Sequence, residues 1–484
     1  MRTRHTPPGT RESRDDFDPV PAMDRLLSEV GLSRAQAGTE VSFSGQDPIV
    51  ASVHRLGACV AIPLMASAVS TVAFHRQRGG PAQRLELDLR RAIHTINPGA
   101  FWRPTLNGER APFPLLADNP FLVTPYLSAD GRTVMACGVY PRMVVRWCRF
   151  LDVPPDPRKV ADAIATWNSF ELEEAASARG LPACVVRSPS EWLAHEHGAL
   201  LARQPVVELT RIGDAPPRDF GPSERAFEGV RVLSFTHAVA GPTVGRTLAE
   251  HGADVLGATR PNDYEHDFIY DEANVGSRST YVDLDSSSGQ QRAASLLTNA
   301  DVVVNNHRLG SLERLGLDPR LLAERLPGLV YVSVTCYGSS GPWARRGGFD
   351  MNASAASGLM TSEGGDSTPR LPVTALINDY LTGYMGAVGA IAALIKRATE
   401  GGSWHVNVSL TRTAMWCGSL GLVDAQRAGC DERHRLREPL TYDAPSPLGD
   451  IHMLAPPVRF SQTQPRWTNP ILVPRGSSRA VWLP

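Results

Sequence analysis

The chain has almost no lysine, no closely spaced pair of cysteines and almost no net charge. Of its 484 residues, 49 are basic and 50 are acidic, which leaves a formal charge of −1, and the lysines are Lys159 and Lys396. This balance argues against a nucleic-acid partner, because phosphate backbones are bound by a concentrated excess of Lys and Arg. A hydrophobic share of 42% with 20% charged residues also excludes wholesale disorder.

Seven cysteines are scattered along the chain, and none belongs to a C-x-x-C pair. We therefore expect neither a disulfide framework nor a thiolate zinc site, and no bound metal. Residues 1–20 are polar and lack the apolar core of a signal peptide, so a reducing cytoplasm is the expected location. Residues 57–74 are uncharged and nearly long enough to span a membrane. Pro63 and several hydroxyl residues among the alanines favour a core helix, so no membrane partner is expected.

The apolar runs predict an α/β fold, with a Rossmann-like parallel sheet in a large domain and a smaller α+β domain beside it. Residues 121–140 indicate a hairpin with an Asp130-Gly131 turn, and residues 183–187 indicate another strand. Residues 212–222 are typical of a linker. After this linker strands and helices alternate, which implies a parallel sheet covered on both faces. The strands are predicted at 230–235, 253–256, 280–284, 302–305 and 329–334, and the helices at 241–251, 288–298 and 321–326.

An internal repeat relates two parts of the chain at a constant spacing of 397 − 76 = 321 residues. Over residues 75–91 and again over 396–412, the end of a helix rich in small residues is followed by a glycine turn and an edge-like strand. In this register Ala58 corresponds to Asp379, and no aspartate occurs between Pro48 and Leu87. Chemistry at Asp379 would therefore be confined to the second copy.

Three loops are candidate ligand sites, and each has a structural alternative. Residues 235–242 join a strand to a helix, which suits a phosphate or polar ligand but is equally consistent with a tight turn. They lack G-x-G-x-x-G, so a dinucleotide fingerprint is absent. Residues 305–316 follow an apolar strand and suit phosphate or adenine contacts, or form a plain loop. The glycines of 337–350 permit close backbone approach to a ligand, or mark a surface loop.

Two shorter patterns carry titratable groups. Asp379 precedes an apolar helix, where an aspartate is most often an N-cap. Shielded from water, its carboxylate could instead be a nucleophile toward a thioester or anhydride carbonyl. The pair His195 and His197 could bind a metal, but without supporting carboxylates a solvated helix face is favoured.

Taken together, these segments resemble the family III CoA-transferases, the group of formyl-CoA and carnitine CoA-transferases with the α-methylacyl-CoA racemases as relatives. The order and spacing of several short motifs carry the resemblance. They are Gly229–Leu233, Thr236–Pro242, Leu248–Val255, Asn274 with Arg278-Ser279, Val282–Leu284, Asn306–Gly310, Arg314–Leu317, Gly338–Pro342, Gly348–Asp350 and Ser357–Met360. The resemblance covers roughly residues 50–484 and is strongest over 229–412.

The resemblance implies a CoA-transferase in which Asp379 is the nucleophile, because the family places an aspartate about thirty residues beyond the G-[YFH]-D element and 379 − 349 = 30. It implies transfer through an aspartyl anhydride and an aspartyl-CoA thioester, with oxyanions stabilised by a glycine-rich loop. No cofactor is permanently bound, since coenzyme A enters as the acyl-CoA substrate and a small carboxylic acid accepts it. The implied CoA contacts are His237, Ala238, Asn306, His307, Arg314 and Arg278.

Several departures from the family keep other functions open. Phe349 stands where the racemase branch has a histidine, so transfer is favoured over racemisation. Thr259 and Ser277 replace residues usual near the CoA contacts, so a non-catalytic acyl-CoA-binding protein is the main alternative. The family's interlocked subunits imply a homodimer, although this chain could also close on itself.

The order of modules differs as well, because the likeness to the family's small domain precedes the Rossmann-like part. The predicted organisation is a tail at 1–47, a truncated copy of large-domain helices and strand at 48–118, a small α+β domain with its linker at 119–221, and a Rossmann-like CoA-binding catalytic domain at 222–484.

Overall fold

The structure, a computed structural model, describes residues 16–96, 98–110 and 119–484. The beginning of the predicted tail and part of the predicted 48–118 segment therefore lie outside the described residues. Within the described ranges the strands are β1 Glu40–Ser44, β2 Arg84–Asp88, β3 Thr105–Leu106, β4 Glu109–Arg110, β5 Pro125–Leu127, β6 Thr133–Ala136, β7 Ala183–Val185, β8 Glu208–Gly213, β9 Arg231–Phe235, β10 Asp254–Thr259, β11 Ser277–Tyr281, β12 Val302–Asn305, β13 Val330–Thr335, β14 Ser403–Ser409, β15 Thr441–Ser446, β16 Gly449–Leu454 and β17 Arg459–Phe460.

The α-helices of the same ranges are interspersed with these strands along the chain. They are α1 Val20–Glu29, α2 Arg34–Ala37, α3 Leu56–Gln77, α4 Leu89–Ala92, α5 Pro98–Phe101, α6 Pro141–Leu151, α7 Pro157–Ile164, α8 Ser169–Ala178, α9 Pro189–Ala194, α10 Glu196–Ala202, α11 Ala240–Ala249, α12 Asp267–Ala273, α13 Ser287–Leu297, α14 Pro319–Arg325, α15 Asp350–Ser357, α16 Leu359–Gly364, α17 Ile377–Glu400 and α18 Leu410–Ser419.

The largest sheet confirms the predicted α/β fold. Its strand order is β11-β10-β9-β12-β13-β14-β8, and the pairs from β11 through β14 are parallel. Val302, Val303 and Val304 of the central strand β12 are almost fully buried, as expected where helices cover both faces of a parallel sheet. If the six parallel strands are numbered along the chain from β9 as 1 to β14 as 6, their order across the sheet is 3-2-1-4-5-6. This is the order of a doubly wound sheet, and its reversal point lies between β9 and β12.

The internal repeat is also present in the structure. Helix α3 with strand β2 and helix α17 with strand β14 have the same succession of elements, and the two helices pack against each other. Asp88 accepts a hydrogen bond from a backbone N–H of α4, and Ser409 does the same for α18. Within the described residues, α3 is the helix that is long and apolar enough to cross a membrane, and its apolar window is wholly buried in the protein.

The smaller α+β unit has its own core. Strands β5, β6 and β7 form an antiparallel sheet, as the predicted hairpin and the 183–187 strand required. Helices α6, α7 and α8 accompany it, and the rings of Phe121 and Trp147 stack with centroids 5.4 Å apart inside a separate hydrophobic cluster. The predicted small unit therefore precedes the Rossmann-like sheet in the chain.

Two predicted boundaries need correction. The described part of the predicted tail, residues 16–47, is folded: α1 buries Met23, Leu26 and Leu27, and β1 pairs in parallel with β2. The pairing partner lies about forty residues further along the chain, so local sequence patterns did not indicate it. Likewise β8, predicted within the small domain and its linker, pairs antiparallel with β14 and forms an edge of the large sheet.

Candidate active site

The site begins where the large sheet reverses its strand order. Strands β9 and β12 lie side by side, and their carboxyl ends lead to His237 and Asn306. The Asn306 side chain accepts a hydrogen bond from the His237 N–H at 3.1 Å and donates one to the His237 carbonyl oxygen at 2.7 Å. These two hydrogen bonds hold the two loops together at the position where doubly wound sheets bind ligands.

The turn between β9 and α11 contains a strained residue. Ala238 has φ +55°, a left-handed conformation that costs a non-glycine residue roughly 1 kcal/mol. Its N–H donates a hydrogen bond of 2.7 Å to Oε2 of Glu265. A Cβ atom at Gly241 would lie 2.6 Å from the Thr236 side chain and 2.8 Å from Asn306, so this turn requires glycine there.

Asp379 is the third residue of α17, not its N-cap. Leu376 occupies the cap position, and among the described residues none donates a hydrogen bond to the Asp379 carboxylate. The side chain is half-buried, and removal from water raises the pKa of Asp379 to about 7. The capping alternative is therefore wrong, and the carboxylate remains available to a ligand.

Asp350 holds the start of α17 from the neighbouring helix α15. Its Oδ2 accepts a hydrogen bond of 2.8 Å from the Asp379 N–H, and its Oδ1 accepts one of 3.0 Å from the Asn378 side chain. Asp350 is fully buried, and burial together with the charge of Asp379 raises the pKa of Asp350 well above its usual range. Asp350 therefore orients the first turn of the helix that carries Asp379.

Tyr140 brings the small unit into the site. Its hydroxyl lies 2.8 Å from Nδ1 of His237 and 3.4 Å from Oε1 of Glu265, and its ring centroid lies 6.3 Å from that of Phe349. Burial and the charges of Glu265 and Asp379 raise the pKa of Tyr140 well above its usual range. The tyrosine thus contacts His237 and Glu265, and the site is built from both halves of the chain.

These side chains form one partly exposed group, which we call the active-site cluster. Each keeps some solvent exposure, although the strands and helices beneath are buried. The cluster consists of Tyr140, His237, Ala238, Glu265, Asn306, His307, Phe349 and Asp379.

The two histidines of the cluster are neutral near pH 7. Burial lowers the pKa of His237 to about 4 and that of His307 to about 3, and their ring centroids lie 5.1 Å apart. Neither therefore contributes a positive charge toward a phosphate. They can act through hydrogen bonds and ring contacts instead.

Two predicted CoA contacts do not join the cluster. Arg278 forms a two-pronged ion pair with Asp254, with N–O distances of 2.9 and 2.8 Å. Asp254 is in register with Arg231, the first residue of β9, so this pair lies toward the strand ends opposite His237. Arg314 is exposed on the loop after β12, where its Nε donates to the Ser311 carbonyl oxygen at 3.2 Å. Both contacts with CoA stay predictions.

The glycine-rich loop and the histidine pair have structural roles. Nε2 of His197 lies 2.7 Å from the Tyr337 carbonyl oxygen, and its Nδ1 accepts from the Trp343 N–H at 3.3 Å. Both ring nitrogens are therefore engaged with the loop backbone, which leaves no lone pair for a metal. A Cβ at Gly341 would lie 2.4 Å from Leu200, so glycine there permits close packing on α10. An oxyanion role for this loop stays a prediction.

One group of side chains elsewhere has metal-ligand chemistry. Ligand atoms of Cys430, Asp431 and His434 lie within 4.8 Å of one another. However, Asp431 accepts hydrogen bonds from two backbone N–H groups, and guanidinium nitrogens of Arg433 and Arg427 lie 3.5 Å from Asp431 and His434. Such positive neighbours oppose a cation, so we assign no metal to this group.

The residue patterns did not indicate three side chains of the candidate site. Asp350 ends the Gly348–Asp350 motif, which by itself gives no role to its carboxylate. Tyr140 follows the predicted hairpin and could have been noticed as an aromatic residue at a strand end. Glu265 lies in the loop between β10 and α12, and no pattern in the sequence distinguishes it.

Comparison with known proteins identifies the part of the chain that contains this geometry. Residues 227–445 match the sequence profile of CoA-transferase family III. This part of the chain is similar to CoA-transferase family III. The profile match includes every member of the active-site cluster except Tyr140.

Named relatives of the family III region agree on the class of reaction. The acetyl-coenzyme A transferase nodX of Hypoxylon pulicicidum is 35% identical over 50% of this chain and 43% of its own length. The succinyl-CoA:glutarate CoA-transferase of Homo sapiens is 29% identical over 42% of this chain and 51% of its own length. The formyl-CoA:oxalate CoA-transferase of Streptomyces coelicolor is 31% identical over 42% of this chain and 52% of its own length. The chain thus spans about half the length of the curated relatives it matches.

Solved structures include similar chains. The crystal structure of Rv3272 from Mycobacterium tuberculosis is 30% identical over 40% of this chain and 58% of its own, with a TM-score of 0.38. A CAIB/BAIF family protein from Brucella suis is 26% identical over 46% of this chain and 64% of its own, with a TM-score of 0.37.

Proposed function

We propose that this protein is a CoA-transferase that moves CoA from an acyl-CoA to a carboxylic acid, with Asp379 as the nucleophile. The observation that carries the proposal is the state of the Asp379 carboxylate. It is half-buried at the start of α17, next to Asp350, and none of the described residues donates a hydrogen bond to it. A carboxylate that is poorly solvated and unpaired is a stronger nucleophile than one held in water or in an ion pair.

The reaction would proceed by exchange at carbonyl carbons. The Asp379 carboxylate attacks the thioester carbon of the donor, the C–S bond breaks, and a mixed anhydride and CoA thiolate result. The thiolate attacks the aspartyl carbon and releases the donor acid, which leaves an aspartyl-CoA thioester. The acceptor carboxylate attacks this thioester and expels the thiolate again, and the thiolate then attacks the new acyl carbon. New acyl-CoA leaves and the Asp379 carboxylate is restored.

The cluster supplies groups that could hold the substrates. The N–H of Ala238 and the side chains of His237, Asn306 and His307 lie at the carboxyl ends of β9 and β12. Backbone N–H groups and neutral imidazoles can donate hydrogen bonds to carbonyl, carboxylate and phosphate oxygens. The names of the relatives support the reaction class, but their acids differ, so we propose no particular acceptor.

Intact-mass spectrometry of the protein after incubation with acyl-CoA donors tests the proposal. We expect a CoA adduct on the wild type, mapped to Asp379 by peptide sequencing, and no adduct on Asp379→Asn. Asp366→Asn, which changes an exposed carboxylate, is the matched control and should keep the adduct. An adduct mapped to another residue would refute the assignment of Asp379.

Two other outcomes would favour other functions. CoA binding without adduct or turnover across donors and acids would favour a non-catalytic acyl-CoA-binding protein. Solvent deuterium appearing at the acyl α-carbon would favour a racemase, against the presence of Phe349.

A further inference from the structure

The carboxylate of Glu265 lies inside the active-site cluster, where the proposed reaction would place substrate. Its Oε2 accepts from the Ala238 N–H at 2.7 Å. Its Oε1 lies 3.4 Å from the Tyr140 hydroxyl and accepts from the N–H of His266 at 3.1 Å. Three donors from three parts of the chain therefore converge on one carboxylate.

All three donors are neutral. None of the described arginines or lysines donates a hydrogen bond to Glu265. Burial raises the pKa of Glu265, and the charges of His266 and Arg475 only partly oppose this. A buried carboxylate held only by neutral donors is bound less tightly than one in an ion pair. Its place could therefore be taken by another carboxylate of similar geometry.

Two of these donors are also held by features that do not involve Glu265. Ala238 is fixed in its left-handed turn, and the Tyr140 hydroxyl is held by its contact with His237. Glu265 itself sits on a surface loop, where Tyr264 is 52% exposed. The Glu265 side chain is itself partly exposed, so it borders solvent.

We propose that the Ala238 N–H and the Tyr140 hydroxyl form the seat for the carboxylate of the acceptor acid, and that Glu265 occupies this seat until the acid displaces it. The inference rests on the proposed function, because it names the seat of that reaction's second substrate. The Tyr140 ring centroid lies 6.3 Å from that of Phe349, and the next residue, Asp350, accepts a hydrogen bond from the Asp379 N–H. The acid would therefore bind on the side of the cluster that leads to Asp379.

Direct binding of free acids tests this seat without any turnover. We would titrate glutarate and phenyllactate into the wild type, Glu265→Gln and Glu265→Ala, using ligand-detected NMR, with phenyllactamide as the uncharged comparison. Removing the competing carboxylate should tighten binding of at least one acid about fivefold to tenfold in both variants, because a charge-assisted hydrogen bond is replaced by a weaker one or none. Phenyllactamide should bind all three proteins alike.

Two controls keep the result interpretable. Glu324→Gln alters an exposed carboxylate on α14 and should bind the acids as the wild type does. In the double variant Tyr140→Phe with Glu265→Ala, the gain should disappear because one of the two fixed donors is gone. Thermal melts establish that each variant is folded.

The proposal is overturned if neither acid binds more tightly to the Glu265 variants, if binding is undetectable in every protein, or if the gain survives in the double variant. Failure of the proposed function is recognised separately. It would appear as a CoA adduct that is absent from the wild type or that persists in Asp379→Asn. The acid titrations are independent of this result, because they need neither CoA nor catalysis.

Discussion

The N–H of Asp379 donates a hydrogen bond of 2.8 Å to Oδ2 of Asp350, and in the first copy of the repeat the N–H of Ala58 donates one of 2.7 Å to Oδ2 of Asp47. The two donors are 379 − 58 = 321 residues apart, which is the spacing of the repeat. Both acceptors are buried, and burial raises the pKa of Asp47 to about 6. The two copies thus hold their long helices in the same way and differ in the side chain at the donor position.

This correspondence allows a matched experiment. Asp350→Ala and Asp47→Ala each remove a buried acceptor from the first turn of a long helix, so each should lower the free energy of unfolding by about 2 kcal/mol. We expect kcat to fall by about two orders of magnitude in Asp350→Ala, because displacing a catalytic group by about 1 Å can reduce the rate that much. In Asp47→Ala kcat should change little. Urea unfolding and steady-state rates measure both, and equal losses of kcat would show that Asp350 has no special positioning role.

The pKa of Asp379 predicts an acid limb in the activity. The nucleophile is the ionised carboxylate, so protonation below a pKa of about 7 should reduce kcat/KM, about tenfold for each pH unit. Above that pH the rate should level off. A pH profile between 5 and 9 checks this, with Asp366→Asn as the control. An acid limb near pH 4 would mean that the Asp379 carboxylate is well solvated in the working enzyme.

The same pKa has a consequence for stability. Because the folded pKa of Asp379 is raised above its unfolded value near 3.8, its favourable contribution is complete below that value and is lost as the pH rises through about 7. Asp379→Asn should therefore match the wild type near pH 4 and be more stable than it above pH 7. Chemical unfolding at both pH values measures the difference. An Asn variant that is less stable at high pH would contradict it.

Close packing at a glycine of α17 predicts that a larger residue there would destabilise the protein. A Cβ at Gly383 would lie 2.5 Å from Thr243 and 2.8 Å from the Ala240 carbonyl oxygen, in the helix that follows the active-site turn. Gly383→Ala should push α17 from α11, lower stability by roughly 1–3 kcal/mol and reduce kcat. Gly418→Ala is the control, because its Cβ would meet its nearest neighbour, Leu359, at 3.8 Å, an ordinary contact. Unchanged stability in Gly383→Ala would mean that the two helices can separate freely.

The sequence predicted the elements whose signals are local. Runs of β-branched residues indicated β12 at its observed bounds, 302–305, and the other strands of the parallel sheet within a few residues. Strand β11 was predicted about three residues too late, because its first residues are serines and an arginine. They are held by pairing with β10, which a single segment does not reveal.

The parts of the site that escaped prediction depend on long-range contacts. Tyr140 and His237 are separated by 97 residues, and the pairing between them follows from how two units pack. Arg278 resembles a family contact, but its pairing with Asp254 follows from the register of β10 and β11. Asp379 is a candidate because the resemblance to the family implies an aspartate about thirty residues after Phe349, within one segment. That its carboxylate lacks a hydrogen-bond donor could not be predicted, because this depends on the positions of Asp350 and Leu376 at the start of α17.

The strained turn gives a last prediction. Ala238 has φ +55°, so Ala238→Gly should relieve strain and raise the free energy of unfolding by about 0.5 kcal/mol while keeping the N–H in place. Ala238→Val should cost about 1–2 kcal/mol, since β-branched residues tolerate this conformation poorly, and should lower kcat/KM as the N–H shifts. Asp152→Val is the control, because Asp152 has φ 55° at the far end of α6 and is exposed. It should lose similar stability with little change in kcat/KM. If Ala238→Val keeps full kcat/KM despite its stability loss, the Ala238 N–H does not contact substrate.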